Sequence, residues 1–411
     1  MAYVERASYL NATAHTKEGL LGMVFREDPV VEFPPGLEYL GENSDNAGTP
    51  FIQLVKNVIS DTVETGRYGI LADYPQMEGG ETSDVTGGVT AGIMRYPAES
   101  ITNWRETTKG GVTSLAFVVL EEAHQKYAGD GFSFESVAFH RVLRIDDSGA
   151  YVQELYNEDD LLISQVMPRR FDGSAWREIP FVFIGSQNND PPVDKPPLYD
   201  LSVLNIAHLR NSADQEESSF LVGQPTPVIT GLSQGWVDEV MAGGILLGSR
   251  SPWLLPEGGA ASLLQAAPNQ LPLVGMEQKE RQMVQIGARL IQDAKTQETA
   301  EAARLRYLGQ NSKLAVLVGN VERAFMTCFG WIQEFMGGAG EEVTFKINRN
   351  FYQATLDPQM IVAQLQLLDR SVISVVDVRE NLRETGILDP GRTDEDVDAD
   401  RESESPIGGQ T

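Results

Sequence analysis

Residues 276–336 read MEQKERQMVQIGARLIQDAKTQETAEAARLRYLGQNSKLAVLVGNVERAFMTCFGWIQEFM, and the fold turns on them. Two helical segments meet here at a polar joint, residues 293–299. In the second segment Leu314, Leu317, Val321, Ala324, Cys328, Trp331 and Phe335 recur at alternating spacings of three and four, which places them on one helical stripe. A helix over 297–336 would be roughly 60 Å long at 1.5 Å per residue, about twice the width of a small domain. A helix of that length is usually a backbone shared between domains or subunits. Gly309, Gly319 and Gly330 lie inside it, each costing up to about 1 kcal/mol relative to Ala, and they mark expected bends. Gly337 and Gly338 end it.

Upstream, Met276, Met283, Ile286, Leu290 and Ile291 mark a helix that returns to the joint. It is preceded by residues 224–275, which carry Pro225, Pro227, Pro252, Pro256, Pro268 and Pro272 between short apolar runs and read as a small, mostly β insert. A helix over 198–222 leads into that insert. Its first half holds Leu201, Leu204 and Leu209, whereas 210–219 is polar nearly all round, the pattern of a helix exposed on several sides or packed beside copies of itself. Pro191, Pro192, Pro196 and Pro197 stiffen the connector before it and suggest a domain boundary.

The first half of the chain has a different period. A helix is expected over 3–26, a short extended piece among Pro29, Pro34 and Pro35, then an amphipathic helix through Phe51, Leu54, Val55, Val58, Ile59 and Val63, stopped by Gly66. Ile70 and Leu71 read as a buried strand. Residues 77–92 form a Gly-rich loop, but no Lys follows its last Gly and its charges, Glu78, Glu81 and Asp84, are all acidic, so a phosphate-cradling loop is a poor reading. Strands over 112–121, 132–145, 150–156, 161–168 and 176–184, separated by turn residues, predict an antiparallel meander. After the long helix come a strand over 343–351, helices over 358–368 and 376–385, and an acidic tail from residue 389 that reads as a disordered, solvated segment.

Composition restricts the chemistry. The chain has 411 residues, is 41% hydrophobic and carries a formal charge of −27, so it can bury a core, is soluble and repels phosphate at non-specific sites. No apolar run reaches the roughly 18 residues of a membrane helix, and the first 20 residues lack the apolar core of a signal peptide. The Asn-Ala-Thr at Asn11 is then a chance sequon. One cysteine, Cys328, excludes an internal disulfide and reads as a buried structural thiol. His15, His124, His140 and His208 are scattered, with no second His or Cys at ligand spacing, so no metal site is expected. No nucleophile elbow, dinucleotide fingerprint or kinase signature is present. Acid pairs such as Asp159 and Asp160, or Glu216 and Glu217, read as solvated faces. No cofactor is implied, and residues alone favour a structural or assembly protein over an enzyme.

The order of parts is a β-rich region, a helix down, a β insert, a helix back, a polar joint, a long helix and a closing α/β piece. It resembles the portal proteins of tailed bacteriophages, and more closely a portal-like family first described as a phage domain of unknown function. The resemblance is carried by residues 3–25 (YVERASYLNATAHTKEGLLGMVF), 66–75 (GRYGILADYP), 96–105 (YPAESITNWR), 208–232 (HLRNSADQEESSFLVGQPTPVITGL), 298–324 (ETAEAARLRYLGQNSKLAVLVGNVERA) and 345–357 (FKINRNFYQATLD). These are structural phrases without catalytic content.

The resemblance implies an α+β portal fold: wing 1–197, stem helices 198–223 and 276–293, clip 224–275, tunnel loop 294–299, long wing or hub helix 300–338, wing return strand 339–355, crown 356–388 and tail 389–411. It implies a homo-oligomeric ring, typically of twelve, at one capsid vertex of the virion, assembled in the host bacterial cytoplasm. Double-stranded DNA passes through that ring, driven in by the terminase large subunit and later ejected. Major capsid, scaffold and tail adaptor or connector proteins would be further partners. On that reading Asp293, Lys295, Thr296, Gln297, Glu298 and Glu301 approach the channel, and Trp236, Arg250 and Trp253 in the clip face the terminase or tail. The acidic charge then keeps sliding DNA from adhering, since each Lys or Arg on a phosphate would release counterions and create a sticking point. Members of the family carry additional sequence before the wing helix, a departure that bears on the outer wing. The alternatives are another phage ring or adaptor protein and, further off, a metal-assisted hydrolase.

Overall fold

A computed structural model of the chain describes residues 2–74, 90–127, 129–223, 226–240, 255–264, 269–291, 300–338, 342–349, 351, 366–368, 370, 372–384, 388 and 392–403. The chain is a mixture of helices and antiparallel sheets, the expected α+β class. It divides into two units, Met1–Ile347 and Asn348–Thr411.

The core of the first unit forms where α3 (Phe51–Thr65) meets α7 (Ala300–Met336). On α3, Phe51, Leu54, Val55, Val58, Ile59 and Val63 are fully buried, the helical stripe that the sequence predicts. Gly66 caps the helix at φ 75°, and a Cβ there would lie 2.5 Å from the Asp194 carbonyl oxygen, so both backbone and space require glycine. On α7 the buried stripe is wider than predicted. Leu314, Leu317, Val321, Ala324, Cys328 and Phe335 are in it, joined by Val318, Phe325, Phe329 and Ile332, because the helix is covered by α3 and by the strands Arg67–Asp73 and Phe181–Gly185. Trp331 is only half-buried, its indole N–H donating to Glu178 (3.2 Å). Phe51 lies at the centre of an aromatic cluster, 5.5 Å from Phe33, 5.1 Å from Phe325, 5.3 Å from Phe329 and 5.0 Å from Phe345, mostly edge to face.

A three-stranded and a five-stranded sheet complete the unit, and the first packs on α7. β2 (Arg67–Asp73) is central to a three-stranded sheet, between β3 (Gly92–Pro97) and β9 (Phe181–Gly185), and is buried almost throughout. The second sheet is the predicted meander, β4 (Ile101–Lys109), β5 (Val112–Tyr127), β6 (Phe134–Ile145), β7 (Tyr151–Tyr156) and β8 (Leu162–Val166), in that order. The sequence reading differs in two respects. It omits β3 and β4, whose charged residues mask the alternation, and it assigns 176–184 to the meander. Only Phe181–Gly185 is strand, and it pairs with β2. Pro180 ends the preceding stretch, and its carbonyl accepts from Ala72.

An ionic network joins the two sheets. Arg141 on β6 donates through Nε and Nη2 to Glu122 on β5 (2.6 and 3.2 Å) and through Nη1 to Gln153 on β7 (3.0 Å). Gln153 Nε2 donates to Asp73 on β2 (2.9 Å), and the Tyr96 hydroxyl on β3 donates to Glu122 (2.6 Å). On either side of this root the meander reaches solvent, with Tyr127, Phe132 and Phe134 exposed at the β5–β6 turn and Val112 at the β4–β5 turn.

Four further local readings are corrected. The expected helix over 3–26 is two helices, α1 (Ala2–Glu5) and α2 (Ala12–Val24), because Asn11 caps the second by accepting from the Ala14 N–H (3.1 Å). The sequon asparagine is thus a helix cap. The strand expected over 343–351 is only β12 (Thr344–Lys346), paired with β1 (Val30–Glu32). The proline-rich connector folds back on the sheet: the Arg67 guanidinium stacks on Trp104 and Phe183 (4.7 and 4.4 Å) and donates to the carbonyl of Pro191.

The fourth correction is in the second unit, where the acidic tail is in part ordered. The helices Val375–Glu384 and Asp394–Ser403 each begin with a reciprocal cap, Ser374 with Asp377 and Thr393 with Asp396. They are joined by Arg379 with Asp398 and Arg383 with Asp394. Composition alone suggested repulsion, and the opposed arginines remove it.

Candidate functional site

The candidate site is the helical hairpin at the end of the first unit. α4 (Tyr199–Val222) runs out and α6 (Leu271–Ile291) runs back. Their direction follows from side-chain pairing: His208 Nε2 meets Glu280 (3.0 Å), while a Cβ on Gly275 would lie 2.3 Å from Asn211 Nδ2, so higher numbers on α4 face lower ones on α6. The glycine lets the helices approach closely. Between them lies the insert, with β10 (Thr226–Thr230) paired antiparallel to β11 (Ala260–Leu264), and the short α5 (Gln234–Val240) in the connection. The described part of the insert is one ribbon and one short helix, and α6 begins at Leu271, inside the expected 224–275, with Pro272 in its first turn. An isolated two-stranded ribbon is marginal in water, and here Leu263 and Leu264 are exposed.

The polar half of α4 has a partner that the sequence reading did not foresee. Asn205 is buried, accepts from the Thr13 N–H and hydroxyl (both 3.0 Å) and donates to the Leu10 carbonyl (2.6 Å). Ser212 accepts from the Ser8 N–H (2.9 Å), the Tyr3 hydroxyl donates to Asp214, and Arg6 pairs with Glu217 while lying 4.0 Å over the Phe220 ring. Asn205, His208 and Ser212 recur at helical spacing, a polar stripe on one face, and that was the available signal. On the opposite face the first half of α4 is apolar and open: Tyr199, Val203 and Ile206 are each about half exposed, and Val274 and Val284 on α6 likewise.

The named channel residues Asp293, Lys295, Thr296, Gln297 and Glu298 lie outside the described residues, as do Arg250 and Trp253. Glu301 is in the first turns of α7, and Trp236 is half-buried on α5. Residues 77–89 of the Gly-rich loop also lie outside them. Among the described residues no group of His, Cys, Asp and Glu is placed to hold a metal ion, and no helix is long and apolar enough to cross a membrane. Cys328 is fully buried, and burial pushes its thiol well above the ordinary value.

The stretch from α4 to α7 also matches a known family. Residues 197–336 match DUF4055, a domain of unknown function. No curated protein matches the chain. Among solved structures, a chain in the neck of the native gene transfer agent particle, computed with C12 symmetry, is 15% identical at a TM-score of 0.43, over 90% of this chain and 89% of that one. An HK97 family phage portal protein from Corynebacterium diphtheriae is 11% identical at a TM-score of 0.35, over 84% of this chain and 95% of that one. Likeness at these scores carries no functional information by itself.

Proposed function

We propose that the chain is the portal subunit of a tailed bacteriophage, a ring protein without catalytic activity through which double-stranded DNA enters and leaves the capsid. The observation that carries this reading is the helix hairpin α4/α6, with its β10/β11 insert at the far end and its return to the core through α7, over the residues that match the family. In this reading residues 1–197, with β12 returning to β1, are the wing. The hairpin is the stem, the connection between its two helices the clip facing terminase or tail, 294–299 the tunnel loop, 356–388 the crown and 389–411 the tail.

The open stripe of Tyr199, Val203 and Ile206 supports it, since a stem helix in a ring of twelve needs an apolar face toward its neighbour. The formal charge of −27 supports it as well, because an acidic wall does not adhere to sliding DNA. Capsid, scaffold and tail adaptor proteins would then surround the ring in the virion.

The buried thiol makes a direct test practicable. Cys328 will not react in the folded chain, so a cysteine introduced as Glu298→Cys or Glu301→Cys is the one labelled site. Maleimide labelling in assembled particles is expected to fall when DNA fills the ring. Equal labelling of full and empty particles would remove these positions from the channel. Immunogold counting separates the portal from other ring proteins, with one occupied vertex per capsid expected.

A further inference from the structure

The helix Asp394–Ser403 reads DEDVDADRES, with Val397 and Ala399 as its apolar residues, so little apolar surface holds it against the helix Val375–Glu384. What holds it is charge. Arg379 forks onto Asp398, Nη1 to Oδ2 at 3.1 Å and Nη2 to Oδ1, and Arg383 donates through Nη2 to Asp394 and through Nε to the Arg392 carbonyl (3.0 Å). The two arginines are one helical turn apart, as are the two aspartates, and the Arg379 and Arg383 side chains are only 10% and 20% exposed beneath them. Two guanidinium forks at that spacing present planar bidentate sites of the kind that take carboxylate or phosphate.

We infer that the helix Asp394–Ser403 stands in for a phosphodiester backbone, covering Arg379 and Arg383, and that these arginines bind duplex DNA when the helix is displaced. The carboxylates occupy the positions of two phosphates. The Asp398 and Asp394 side chains are 56% and 32% exposed, so solvent screens both pairs, and a duplex that releases counterions can compete with them. The choice of duplex DNA as partner rests on the portal reading, whereas the covered arginine pair does not. Covered, the pair leaves DNA free to slide, and uncovered it grips.

The test uses the full chain and a short fluorescein-labelled duplex in 0.1 M salt, where screening extends about 10 Å. The variant D394N/D398N removes two carboxylates and leaves the overall charge strongly negative. It is expected to bind the duplex about tenfold more tightly than wild type, the scale of one freed charge-assisted contact. Adding R379Q/R383Q is expected to return binding to the wild-type level. In the wild-type chain, saturating duplex at low salt should speed amide exchange across 394–403 while 375–384 stays protected, a readout that needs no variant. No gain in D394N/D398N together with unchanged exchange, or a gain that survives R379Q/R383Q, overturns the inference. Ring formation is measured separately, so a chain that forms rings but fails here loses this inference and keeps the portal reading.

Discussion

Asn320 shows how much of the packing depends on single polar side chains. It is fully buried on α7, donates through Nδ2 to the Gly185 carbonyl at the end of β9 (2.8 Å), and its own carbonyl accepts from Asn189 (2.8 Å). Asn320→Ala takes a buried donor from that carbonyl and is expected to cost about 1–3 kcal/mol, read as a lower urea midpoint at unchanged slope. Glu122 makes the acid limb of stability measurable. Burial alone raises its carboxyl, but the hydrogen bond and charge of Arg141 and the Tyr96 hydroxyl outweigh this and hold it below its ordinary value. A carboxylate depressed in the folded state contributes stability above its unfolded value of about 4.3, and that contribution is lost as pH falls through the folded value. Glu122→Gln should therefore lower stability at neutral pH and flatten its fall below about pH 4.3 in a pH series of urea midpoints.

At the scale of elements, the N-terminal segment takes Asn205, Ser212, Asp214 and Glu217 on α4 and leaves open the apolar stripe of its first half, Tyr199, Val203 and Ile206. Replacing Val203 and Ile206 together by Glu is expected to abolish assembly while leaving the melting temperature of the monomer within a few degrees, because both side chains are about half exposed in the single chain. Light scattering and thermal unfolding on the same sample check both halves. The helices and the meander were legible because their apolar residues keep one period, as in Phe51 to Val63 or Val112 to Leu120. β4, with the sequence ITNWRETTK, was not legible because its pairing to β5 passes through two register shifts and its side chains are polar on both faces. The break at Asn11 and the helix Asp394–Ser403 escaped for other reasons. The first is a local cap of Asn11 onto Ala14 in what reads as a chance sequon, and the second depends on arginines of another helix, Arg379 and Arg383. In the α4/α6 hairpin the element order was readable, but the polar seam between residues 3–13 and α4 needed the third dimension.

At the scale of the whole molecule, a strongly acidic chain exposes apolar side chains on its α4/α6 hairpin, on its ribbon and at the turns of its meander. Net charge opposes non-specific association, so copies that meet do so through those charge-poor faces. The central claim is that they meet in a closed ring around a channel, with α4 against its neighbour. The most direct measurement is the mass and shape of the purified full-length chain, by native mass spectrometry with negative-stain images of the same preparation. The account predicts a single closed assembly of about twelve copies with a central hole, the ring that heterologous contacts form when their rotation closes. A chain that stays monomeric under every assembly condition, including high protein concentration and added scaffold protein, would contradict it.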